Sequence, residues 1–232
     1  MKTQSNPTLA EQLIKFYYDL EPDDWKLPRG ISLLNPFTIA ETRPVFEQFY
    51  HKYFHDNEER HLIVGINPGR FGAGVTGIPF TDPKILESHC DIPNDMAKRN
   101  ELSAIFIYEM IAEFGTLEEF YSRFLISSAV PLGFVKDGKN INYYDDKTLK
   151  TNLTPHIISN FDDHIEMGIK TDKLFVLGQG KNYKFIEKLN REIKRFDAVV
   201  PLPHPRWVMQ YRLKRKQEYL DEYMLKLGSV DD

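Results

Sequence analysis

HLIVGINPGRFGAGVTGIPF occupies residues 61–80. Its first six residues, His61–Ile66, form an apolar run that ends abruptly among glycines and prolines. A short apolar segment without alternation, closed by a turn, reads as a strand buried on both faces of a parallel sheet. Three other runs share that character: Phe124–Val130, Lys173–Gly178 and Phe196–Pro201. Helical patterns lie between and around them. Thr42–His55 puts Val45, Phe46, Phe49, Tyr53 and Phe54 on one broad face, and Asp95–Phe114, Pro155–Gly168 and Gly180–Arg195 repeat that spacing. A last helix is expected from Val208 to Leu227, stopped by Gly228. Strands alternating with helices predict βαβ units, hence an α/β fold with a four-stranded parallel sheet between helical layers.

The rest of the chain reads as covering and connection. Leu9, Leu13, Phe16, Tyr17 and Leu20 predict an N-terminal amphipathic helix, followed by an irregular loop over Glu21–Asn35. Residues 1–40 are expected to cover an open side of the sheet. Lys136–Lys147 is polar and reads as an excursion after the second strand. With 232 residues, 41% of them hydrophobic, and no linker or repeat, one domain over residues 1–232 is expected. The single cysteine, Cys90, excludes an intramolecular disulfide and an all-cysteine metal site, and points to a reducing cytoplasm. The N-terminus lacks a secretory pattern, and no stretch of 18 apolar residues exists, so no membrane role is expected.

Charge is unevenly spread. Residues 1–178 carry 18 Lys/Arg against 26 Asp/Glu, whereas residues 179–216 carry 11 against 3. A local basic stretch can hold phosphates in an acidic chain, because screening confines each field to about 10 Å at ~0.1 M salt. The same stretch also fits a solvated helix face.

The loop after the first strand is the place to look for chemistry, because open α/β sheets bind ligands at the carboxyl ends of their strands. No P-loop GK[ST] is present. Gly72, Gly74 and Gly77 satisfy G-x-G-x-x-G, but that match starts well past the strand, and Pro79 and Pro83 follow where a helix should open. Taken alone, Asn67-Pro68-Gly69 is also a plain turn.

GINPGRFGAGVTGIPF, however, resembles the first motif of the single-strand-selective monofunctional uracil-DNA glycosylases, G-M-N-P-G-P-F-G-M-A-Q-T-G-V-P-F, at most positions and without a gap. Later landmarks of that family recur in order: a strand before Pro131-Leu132, a Gly-Lys-Asn stretch at Gly138–Asn140, a third strand ending in glycine, and a His-Pro loop before the last helix. The resemblance implies a three-layer α/β/α sandwich of the uracil-DNA glycosylase type and a monofunctional enzyme that hydrolyses the N-glycosidic bond of damaged bases in DNA. It implies no cofactor and no metal. A monomer acting on single- or double-stranded DNA is expected.

Matched residue by residue, the resemblance makes Asn67 the group that positions water and His204 the donor to the departing base. It puts Phe80 against the flipped base, with Ile66, Gly69 and Phe71 around it. The family histidine falls on Leu202 if no gap is allowed; His204 is matched instead, because Leu202 has no donor. Ser128 stands where the family reads uracil with an asparagine, so hypoxanthine and xanthine enter as further substrates. Arg206 matches the DNA-penetrating loop. Trp207 reads either as a base-stacking group or as a buried anchor. Arg212, Lys214, Arg215, Lys216, Lys181 and Lys184 form a candidate phosphate track. No lysine falls within the motifs, so no Schiff-base lyase step is expected. Two other classes fit the same pocket: a nucleoside or nucleotide hydrolase, and a non-catalytic module that holds flipped bases or single strands.

Overall fold

A computed structural model describes residues 6–228. Its centre is a parallel sheet of β2 (Arg60–Gly65), β3 (Phe124–Ser128), β6 (Ile169–Leu177) and β7 (Ala198–Leu202), in the order β3-β2-β6-β7. All six residues of β2 are buried. Successive side chains of a strand point to opposite faces, so both faces of this sheet are covered and the fold has three layers. Ile63 pairs with Ile126 on one side and Phe175 on the other, which places the apolar runs in register.

The covering helices are α1 (Leu9–Tyr18), α2 (Thr42–Tyr53), α5 (Leu102–Phe114), α6 (Leu117–Arg123), α7 (Lys147–Glu166), α8 (Lys181–Ile193) and α10 (Lys216–Gly228). Short helices α3 (Ala73–Thr76), α4 (Pro83–Ser88) and α9 (Pro205–Tyr211) sit in loops at the carboxyl ends of the strands. A capping box of Thr8 and Glu11 starts α1, and Thr116 and Glu119 start α6 in the same way. The hydroxyls of Tyr17 and Ser127 meet at 3.5 Å, tying α1 to the end of β3.

Several local expectations are corrected. Within Glu21–Asn35, expected to be irregular, Ile31–Leu34 forms β1, which pairs antiparallel with β4 (Gly133–Lys136). The expected excursion contains β5 (Lys139–Ile141), a hairpin partner of β4 around the turn at Asp137-Gly138. Helix α7 starts at Lys147 rather than Pro155, because the Asp146 carboxylate accepts from the N–H groups of Thr148 and Leu149 and Pro155 rides inside the helix. Helix α5 starts at Leu102 rather than Asp95; Asp82 caps α4 with one carboxylate oxygen and holds the Glu101 N–H with the other. The last helix is not continuous from Val208. It breaks at Arg212 and resumes at Lys216.

One buried charge secures the amino end of the sheet. Arg60 is fully buried and grips both carboxylate oxygens of Asp56 at 2.7 and 2.8 Å. It also donates to the carbonyls of Tyr121 and Glu58 and lies over the Phe54 ring. The hydrogen bond from Arg60 holds the Asp56 carboxyl below its ordinary pKa. The stabilisation is therefore present above the ordinary carboxylate range and lost as pH falls through the lowered folded value. Asp56→Ala leaves the guanidinium buried and uncompensated. A loss of roughly 2–3 kcal/mol in urea unfolding at neutral pH is expected, without loss of activity per folded molecule.

Candidate active site

The strands of the parallel sheet deliver their following loops to one end of the molecule, and a cavity of about 120 Å3 opens there. Its wall includes Ile66, Asn67 and Gly69 from the loop after β2, Phe80, Ser128 at the end of β3, Asn140 and Ile141 of β5 with Asn142 just beyond, and His204 and Arg206 after β7. For scale, a buried cavity of roughly 150 Å3 holds one benzene ring.

Asn67 is held rigidly. Its Nδ2 donates to the Ile141 carbonyl at 3.2 Å, and its Oδ1 accepts the Tyr143 N–H at 3.0 Å. Tyr143 is itself anchored, since its hydroxyl donates to Asn182 Oδ1 at 2.8 Å and Asn182 donates to the Leu177 carbonyl. The amide is thus fixed through β5, α8 and the end of β6. One lone pair of Oδ1 remains for a further donor.

Phe80 adopts a left-handed backbone, φ 54°. That conformation costs a residue with a β-carbon roughly 1–2 kcal/mol and persists only where the surroundings enforce it. The enforcement comes from Thr76, whose hydroxyl donates to the Thr81 carbonyl at 2.6 Å. The ring lies against Gly65, where an added β-carbon would meet it at 3.0 Å, so a larger residue there would press the ring back. Along β3 the side chains alternate: Ser127 faces Tyr17, and Ser128 lines the cavity.

His204 is the N-cap of α9. Its Nδ1 accepts the Arg206 N–H at 3.2 Å, so the neutral ring carries its proton on Nε2. Burial, with Arg206 nearby, lowers its pKa to about 4, which keeps the ring neutral at physiological pH. Leu202 is fully buried at the end of β7, away from the cavity lining.

Residues 51–228 match the family model of the uracil DNA glycosylase superfamily. The chain belongs to that superfamily. The glycosylase also matches the crystal structure of wild-type SMUG2 from Pedobacter heparinus, with a TM-score of 0.93 and 46% sequence identity, over 97% of this chain and 98% of that one. No curated protein matches it. The chain is accordingly a DNA glycosylase, an N-glycosyl hydrolase with DNA as its partner.

Other sequence-predicted residues of the glycosylase lie in recesses next to this cavity. Trp207 and Lys181 line an adjoining recess of about 400 Å3, which shares His204 and Ile66 with the central one. Trp207 is exposed rather than a buried anchor; its ring meets the edge of Tyr219 and carries the Arg212 guanidinium on its face. Lys181 sits at the start of α8, 3.7 Å from Asp145. Arg206 is exposed and reaches over both the cavity and a second recess. Lys214 is exposed, Arg215 pairs with Glu218, and Lys216 pairs with Glu109.

Phe71 is corrected. It does not line the cavity; it is 41% exposed in the second recess, between the guanidinia of Arg70 and Arg99. The turn at Gly72 aims Ala73, not Phe71, at the cavity. Sequence reasoning missed Glu101, Ser103, Asn140 and Asn142, which also line it. Asn140 lay in the Gly-Lys-Asn stretch and was open to inspection. Glu101 had no local signal.

Proposed function

We propose that the glycosylase removes uracil, and also hypoxanthine and xanthine, from DNA and leaves an abasic site. The observation that carries this reading is the convergence of Asn67 and His204 on one cavity at the carboxyl ends of the strands. The target base leaves the stack at a cost of a few kcal/mol and enters between Phe80 and the loop after β2. As the glycosidic bond breaks, its electrons pass to the base, and His204 donates its Nε2–H to the carbonyl that gathers the charge. Asn67 orients a water toward the sugar carbon. An amide accepts no proton, so departure of the base precedes attack by water. No side chain able to form a Schiff base lines the cavity among the described residues, in keeping with a chain that stops after hydrolysis. We read the glycosylase as a monomer of the cytoplasm; buried Cys90, its thiol pKa raised by burial, needs no oxidising compartment.

The breadth of substrate rests on Ser128. A hydroxyl reaches less far than an amide and both donates and accepts, so it leaves room for the larger ring of a deaminated purine. The test is a panel of labelled oligonucleotides carrying uracil, hypoxanthine or xanthine, single- and double-stranded, scored for strand breakage only after alkali. Excision of uracil and at least one purine supports the reading; excision of none discards it. Ser128→Asn is expected to narrow the activity toward uracil, changing the uracil-to-xanthine ratio by about tenfold or more.

A further inference from the structure

Glu101 is the one carboxylate that lines the cavity among the described residues. It stands at the N-cap of α5 and lies against the loop that carries Asn67. A β-carbon built on Gly72 would fall 1.7 Å from its Oε2, and one on Gly69 would fall 3.7 Å from its Oε1. The bare backbone of that loop therefore makes room for the carboxylate against Gly69 and Gly72, on the wall of the cavity that Asn67 also lines. No described residue donates a hydrogen bond to it, although Asp82 accepts from its backbone N–H at 2.9 Å. A recessed carboxylate kept without a donor gains nothing for the fold.

One proton of the hydrolysis has no acceptor in Asn67 or His204. When water adds to the sugar carbon, it must lose a proton. Asn67 takes none, and His204 already carries its proton on Nε2 with Nδ1 engaged. We propose that Glu101 is a further catalytic residue, the base that accepts the proton of the attacking water. The bond from water oxygen to the sugar carbon forms, the bond from that carbon to the base nitrogen has broken with its electrons on the base, and the proton moves to a Glu101 oxygen. From there it returns to solvent after release of the products. This inference rests on the Asn67–His204 reading and completes its proton balance.

The ionisation of Glu101 suits the task. Burial, then the nearby Asp82 carboxylate, raise its pKa to about 7, against a lowering by Arg206. The groups facing it are Asp82 before α4, Arg70 on the loop after β2, and His204 and Arg206 at α9, while the hairpin contributes only uncharged Asn140. A base titrating near neutrality combines a usable ionised fraction with the strongest drive to take a proton.

The test measures single-turnover excision of uracil from a single-stranded oligonucleotide between about pH 5 and about pH 9. The parent rate is expected to rise with pH, to bend near neutrality and to level off above it. Glu101→Gln should lower the plateau by about 10²-fold or more and remove the bend, with unchanged affinity for an oligonucleotide carrying a non-cleavable 2′-fluoro-deoxyuridine. The folded pKa lies above the ordinary value, so stability falls as pH rises from about 4.5 toward about 7. Glu101→Gln removes that cost and should melt no lower than the parent above pH 7, which separates lost chemistry from lost fold. Should the glutamine variant not fold, Glu101→Asp reads the same question, with a lower rate and a retained bend. A Glu101→Gln variant within twofold of the parent, a bend that survives it, or a parent rate that falls through neutrality overturns the proposal. Asn67→Ala belongs in the same series: if it is inactive while Glu101→Gln is active, Glu101 alone is discarded; if both are active, the reading of the whole site goes with it.

Discussion

Asn67→Ala is expected to lower the single-turnover rate of uracil excision by about 10²–10⁴-fold, with little change in DNA affinity. The expectation follows from how the amide is held. Both its nitrogen and its oxygen are fixed by backbone groups of residues 141 and 143, and Tyr143 is pinned in turn to Asn182. A group so restrained costs no reorganisation when the sugar acquires charge. Alanine leaves a gap that water fills without orientation. Binding should survive, because the exposed residues flanking the cavity, Arg206 and Trp207, are untouched. A variant retaining a tenth of the parent rate or more removes Asn67 from the chemistry.

His204→Ala is expected to cost about 10²–10³-fold in the same assay, the usual consequence of removing one donor aimed at developing negative charge. His204 also caps α9, so alanine carries a second effect of about 1 kcal/mol on stability. His204→Asn separates the two. Asparagine caps well, so the fold is kept, but its shorter amide cannot place a donor where Nε2 stood. Activity should fall with either variant, and the urea midpoint only with alanine. The lowered pKa of His204 adds a pH signature. The folded state binds fewer protons than the unfolded one between about 4 and 6.5, so its contribution is present above that window and is lost as pH falls through it. His204→Asn should flatten that part of the acid-side stability curve.

The parallel sheet was legible because β2 and β3 are buried along their whole length and β6 is buried from Leu174 to Leu177, and such burial leaves an apolar run that needs no context. The run at residues 61–66 pointed to β2, and the break at Asn67 to its carboxyl end. The small antiparallel sheet was not legible. Ile31–Leu34 pairs with Gly133–Lys136, about a hundred residues away, and nothing near Ile31 announces that partner. Pro155 looked like the start of a helix because proline favours the first turn, yet Asp146 caps the same helix further upstream. A comparable capping signal at Thr116 and Glu119 was present in the sequence and marks α6. The break at Arg212 lacks both proline and glycine and has no local signature.

The site divides in the same way. Asn67, Ser128 and His204 stand at or next to strand ends, where position along the chain already implies position in space. Glu101 is set apart by Asp82, Gly72 and Arg206, which are close only in the folded chain. Phe71 neighbours the same loop, but a single turn at Gly72 turns it outward. Which side of a loop a residue faces is a property of dihedral angles that composition does not carry.

The most direct measurement is a crystal structure of the glycosylase bound to an oligonucleotide with 2′-fluoro-deoxyuridine at one position. The account predicts the uracil ring in the cavity against Phe80, its carbonyl within hydrogen-bond distance of His204 Nε2, and a water on Asn67 Oδ1 below the sugar carbon. A uracil that remains stacked in the DNA, or that occupies another recess with Asn67 and His204 both out of reach, would contradict it.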